Sequence, residues 1–117
     1  SLKIFIGILM RINRKKRKFS VGLKKQITIN HKANIFLKDD EMITFVTKKK
    51  SQYDITKKNW GYYISQSINK RVKDEGFKIA MVTNIFGRKY LMAVEKGNIN
   101  LFKKYCSEEK FKVKWLS

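Results

Sequence analysis

Residues 77–96 hold two apolar runs, "FKIAMVTNI" and "KYLMAVEK", joined through "FGR", and nothing else limits the folds open to this chain so tightly. Glycine at the bend marks a hairpin. Strand periodicity sends Phe77, Ile79 and Met81 to one face and Ala80 and Val82 to the other. Both faces are apolar. Each therefore needs a covering layer, and the hairpin is expected at the centre of a sheet.

Helical patterns flank the hairpin and can supply those layers. Ile64, Ile68 and Val72 recur at four-residue spacing, with Ser65 or Ser67 as N-cap and Gly76 placed to close the C-terminal turn. Beyond the hairpin, Gly97 breaks the strand and Asn98 caps "INLFKKYCSEEK", whose buried stripe is Ile99, Phe102, Tyr105 and Cys106. "FKVKWL", residues 111–116, alternates as a half-buried strand. Upstream, "MITFVT" (42–47) and "QYDITKK" (52–58) read as strands joined at the tip "KKKS" (48–51). Ala33, Ile35 and Leu37 alternate in an earlier one, and "LKDDEM" is a tight polar connection.

From about residue 52 to 116 the order is strand, helix, strand, strand, helix, strand. It resembles the split βαβ order of ferredoxin-like domains. The resemblance is one of element order, with no signature residues. The expected fold is α+β: a mainly antiparallel sheet with two helices, preceded by extra N-terminal strands over 3–12 and 19–30. Residues 1–25 form a basic strand or arm, and 26–117 a single domain.

The chain has 117 residues and a net charge of +19. Residues 1–25 carry nine basic side chains and no acid; the rest carry nineteen basic and nine acidic. Such a field draws polyanions: nucleic acid, an anionic surface or an acidic partner. Composition offers a second cause. Lysine outnumbers arginine 23 to 5, isoleucine and asparagine are abundant and proline is absent, as AT-rich coding would produce. Arginine is the residue suited to bidentate base and phosphate contacts, so its scarcity points away from sequence-specific reading.

Catalytic material is thin, which argues against an enzyme. His31 is the sole histidine and lies in a polar turn, so no triad or histidine-based metal cluster can form without it. Asp39, Asp40 and Glu41 are adjacent and read as a solvated turn; Asp54 stands among lysines, where an ion pair accounts for it. The lone Cys106 excludes an internal disulfide and reads as a packed, inert thiol in a reducing, cytoplasmic setting. No phosphate loop or dinucleotide fingerprint is present, and no cofactor is expected. A base-stacking strand of the RNA-recognition type would need several rings on "GRKYLMAVEK", where Tyr90 stands alone.

Two features remain. Arg14, Lys15, Lys16, Arg17 and Lys18 form the densest basic cluster, with Lys48, Lys49 and Lys50 on a second loop and Lys57 and Lys58 on a strand end. All are candidate phosphate contacts. In "NWGYY", Trp60 and Tyr62 share a face and could stack on a base beside the start of the next helix; the alternative places the rings in the core, Tyr63 first among them. The leading expectation is a polyanion-binding domain, most readily for nucleic acid, without strong sequence preference. The alternative is a homo-oligomeric assembly module that pairs through residues 3–12. Membrane attachment through residues 3–18 is disfavoured, because "IFIGILM" is short of a span and lacks an interleaved basic face.

Overall fold

The computed structural model describes residues 11–13, 18–21 and 27–117. Strands β1 (Arg11–Asn13) and β4 (Asn34–Phe36) pair with each other, and β2 (Lys18–Val21) pairs with β3 (Ile27–Asn30). In sequence, the second ladder lies between the two strands of the first. The strand expected over 3–12 lies outside the described residues except at Arg11 and Ile12.

Three strands follow: β5 (Met42–Val46), β6 (Gln52–Lys58) and β7 (Gly61–Tyr63), in the sheet order β5-β6-β7. The two polar connections form as expected. Asp40 and Lys50 take left-handed conformations at φ 67 and 66. The "KKKS" turn closes as Lys50 N–H donates to the Thr47 carbonyl and Thr47 N–H to the Ser51 carbonyl.

The second sheet has the order β10-β8-β9, from β8 (Phe77–Thr83), β9 (Lys89–Glu95) and β10 (Lys112–Trp115). At the hairpin bend, Gly87 has φ 78 and the Asn84 side chain accepts from the N–H groups of Phe86 and Arg88, both at 2.9 Å. The centre of the sheet is β8 alone. Phe77, Ile79, Ala80 and Val82 are buried, but Tyr90 and Leu91 on β9 are exposed. The expectation of a wholly central hairpin is corrected because β10 takes the free side of β8 and leaves β9 at an edge.

Register then assigns the faces. Val82 pairs with Val113 and Tyr90, and Ala80 with Trp115 and Met92. Helix α2 (Ile99–Glu108), continuing from a 3₁₀ turn at Lys96–Asn98, covers that face through Cys106, with Phe102 5.5 Å from Trp115 and Tyr105 5.5 Å from Phe111. The other face carries Phe77 and Ile79, which cluster with Val72 and with half-buried Tyr53 and Ile68. Tyr53 and Phe77 meet edge to face at 5.6 Å. Burying side chains of this size stabilises by about 1.5–3 kcal/mol each.

The helix expected after residue 64 is a correction. Its only α-helical part is α1 (Arg71–Asp74), four residues long. Ser67 accepts from the Arg71 N–H at 3.2 Å, but Ile64 is 52% exposed and leaves the stripe. One turn holds Val72 in the core and the remainder of the segment is irregular. Asn98 occupies the N-cap position of α2 without capping through its side chain, which instead donates to Glu95 and accepts from Lys49.

Half of the expected split βαβ pattern is present. Strands β9 and β10 are both antiparallel to β8, hence parallel to each other with β8 between, and α2 is their crossover. The first half does not form. Strand β6 pairs with β5 and β7, which occupy both of its edges, and α1 is too short to serve as a crossover. The fold is α+β and antiparallel; a ferredoxin-like core is not confirmed. Besides the Tyr53–Phe77 ring contact, the two sheets meet at a corner where Glu95 accepts from Thr47 and Ser51, each at 2.7 Å, and Gln52 N–H donates to the Glu75 carbonyl at 3.2 Å.

Candidate functional site

Strand β6 divides two cavities, because alternate side chains leave it in opposite directions. Tyr53 and Ile55 face an apolar cleft of about 480 Å³, shared with Ile64, Ile68, Ile79 and Leu91. Asp54 and Thr56 face a polar pocket of about 460 Å³, completed by Met42, Tyr63, Ser65, Gln66, Ser67 and Arg71. The irregular segment between β7 and α1 supplies most of the second wall.

Asp54 is the chemical centre of the polar pocket. It is 6% exposed. Thr44 Oγ1 donates to its Oδ1 at 2.6 Å, Gln66 Nε2 donates to its Oδ2 at 2.8 Å, and Arg71 Nη2 stands 3.7 Å from Oδ2. The expected ion pair is present, with Arg71 rather than a lysine as the partner, and two hydrogen bonds add to it. The carboxylate's position also fixes the Gln66 amide, since turning the amide over would set two oxygens against each other. Gln66 Oε1 is then buried with no hydrogen-bond partner. Buried polar atoms rarely go unpaired, so this is the one oxygen of the described side chains that asks for a donor. Sequence reading missed the pocket. The signal was an acid at an inward position of an alternating strand.

The aromatic cluster lies outside the core. Trp60, Tyr62 and Tyr63 are 64%, 49% and 55% exposed, which corrects the placement of Tyr63 in the core. Trp60 and Tyr63 meet edge to face at 5.3 Å, and Lys57 Nζ lies 5.8 Å from the Tyr62 ring. Trp60 sits in the two-residue turn between β6 and β7, and Gly61 beside it has φ 145. The free N–H groups of a helix start are not beside it, because α1 begins only at Arg71.

The candidate cations fall into different circumstances. Arg14, Lys15, Lys16 and Arg17 lie outside the described residues, and Lys18 opens β2. Lys57 is 3.0 Å from Asp39 and Lys58 pairs with Asp40, so both are partly neutralised. The hydrogen bond from Lys58 to Asp40 raises the lysine above its ordinary value. Lys48 and Lys50 are exposed at the β5–β6 tip, and Lys49 reaches Asn98 at 2.9 Å. That contact brings the tip to the Glu95 corner. Register adds a second group that sequence spacing hid: Lys112, Thr83 and Lys89 lie in one cross-strand row, with Lys114 in the next row of the same face. All three lysines are exposed.

Other chemistry is limited. Among the described residues no group of three or more metal-ligating side chains converges. Burial raises the Cys106 thiol above its usual range, away from the reactive thiolate. No helix among the described residues is long and apolar enough to cross a membrane. No family model, no curated protein and no solved structure matches the chain.

Proposed function

We propose that this chain is a non-enzymatic domain that binds single-stranded nucleic acid, chiefly through its phosphates and without strong sequence preference. The observation that carries the reading is the surplus of exposed lysine on surfaces where acids are already engaged. Asp39 and Asp40 are taken by Lys57 and Lys58, and Glu95 by two hydroxyls, while Lys48, Lys50, Lys89, Lys112 and Lys114 stand exposed. Exposed rings at Trp60 and Tyr62 offer a stacking surface of the kind that tolerates any base. Labelled single-stranded RNA, followed by fluorescence anisotropy, should bind with an affinity that falls steeply as salt rises, since each neutralised phosphate releases counterions. Absence of binding at low salt would remove the proposal.

Self-assembly is the second reading, and a specific observation favours it. Strand β5 is an edge of its sheet among the described residues, and Met42, Phe45 and Val46 on it are all more than half exposed at 53%, 51% and 62%. An apolar open edge invites a further strand. Light scattering on the full chain distinguishes the two: a monomer across the concentration range removes assembly and leaves nucleic-acid binding in place.

A further inference from the structure

We infer that the polar pocket beside β6 is a selective subsite for one nucleobase, guanine, within the strand that the basic surface attracts. The inference rests on the nucleic-acid reading and deepens it.

The pocket is a recess lined by a carboxylate within a protein of +19. A free cation would be drawn by Asp54 yet repelled by the surrounding field. A ligand that carries N–H donors on an anionic frame satisfies both, and a nucleotide is such a ligand. About 460 Å³ lies within the usual range for small-molecule sites and accommodates a single base.

Hydrogen-bond capacity then selects the base. Asp54 uses one acceptor position on Oδ1 for Thr44 and one on Oδ2 for Gln66. A carboxylate oxygen has two such positions, so each oxygen keeps one, with Arg71 Nη2 3.7 Å from Oδ2 and short of a hydrogen bond to it. Two adjacent acceptors match two adjacent donors, and guanine presents these as N1–H and N2–H₂. Adenine and cytosine place a ring-nitrogen acceptor next to their amine, opposite a carboxylate oxygen. Uracil offers a single N–H between two carbonyls. Ser67 accepts from the Arg71 N–H and so keeps its own proton for the guanine O6. Arg71, whose side chain is 60% exposed, provides positive charge for the attached phosphate. A purely structural role for Asp54 accounts for its bonds to Thr44 and Gln66, but it leaves the recess beside them without a purpose.

The test uses the full chain and unlabelled mononucleotides in calorimetry, beside single-stranded RNA in anisotropy. GMP should bind at least about tenfold more tightly than AMP, CMP or UMP, in the range expected when a site built to pair a donor meets an analogue without it. IMP, which lacks the N2 amine, should lose most of that preference on the unaltered protein, so the outcome does not depend on a variant folding. Asp54→Asn should abolish the preference while uracil-only RNA binds as before. Equal binding of GMP and IMP, or of GMP and UMP, overturns the subsite. If uracil-only RNA binds and GMP shows no preference, the subsite alone fails. If no RNA binds at low salt, the nucleic-acid reading fails first.

Discussion

Replacing Trp60 with alanine separates a surface ring from a core ring by magnitude. The indole is 64% exposed and has one aromatic neighbour, Tyr63, at 5.3 Å. About a third of a surface of roughly 250 Å² is therefore covered, which at about 25 cal/mol per Å² amounts to ~2 kcal/mol as an upper bound. A fully packed aromatic would cost about 3–5 kcal/mol. For a chain of this size each kcal/mol moves the melting temperature by roughly 4 °C, so Trp60→Ala should melt less than about 8 °C below the parent. Affinity for single-stranded RNA should fall by about 1–3 kcal/mol, the effect of losing one stacked base. One thermal melt and one anisotropy curve give both numbers. Unchanged affinity would refute the stacking role. A variant that fails to fold would refute the reading of Trp60 as a surface residue.

Two further outcomes follow from the corner where the sheets meet. Gly76 has φ 101, and a Cβ added there would lie 2.6 Å from Ser51 Oγ. Gly76→Ala should cost about 1–3 kcal/mol from the backbone alone, and more if Ser51 cannot move; an unchanged melting temperature would contradict the geometry. Glu95 is held below its ordinary 4.5, first by the hydrogen bond from Ser51 and then by that from Thr47, with Lys49 adding attraction. A lowered carboxylate stabilises the fold above its unfolded value, and that contribution disappears as pH falls through the folded one. The stability difference between the parent and Glu95→Gln should accordingly be larger at pH 7 than near pH 3, measured by urea denaturation; a pH-independent difference would show that the ionised form is not the one being held.

The chain's own pattern determined β5, β6, β8, β9, β10 and the second helix. Strand β6 covers the residues that "QYDITKK" marked, and the turns at Lys48–Lys50 and Gly87 fall where lysine, serine and glycine placed them. These features are local: alternation, turn chemistry and a four-residue stripe act over a few residues and are written in consecutive positions. Only tertiary structure decided the rest. Which strands become neighbours depends on what occupies an edge, and β5 and β7 take both edges of β6, leaving none for β8. The stripe Ile64, Ile68, Val72 suited a helix, but Val72 is the position buried to 1%, and packing against Phe77 and Ile79 ordered only the last turn. The polar pocket unites Asp54 of β6 with Gln66 and Arg71 from beyond β7, and the exposed lysine row unites β9 with β10 through β8. Both are products of pairing between distant segments, which spacing along one chain does not encode. Tyr63 shows the same division: its ring announced burial, yet β7 lies at the margin of its sheet and the ring is 55% exposed.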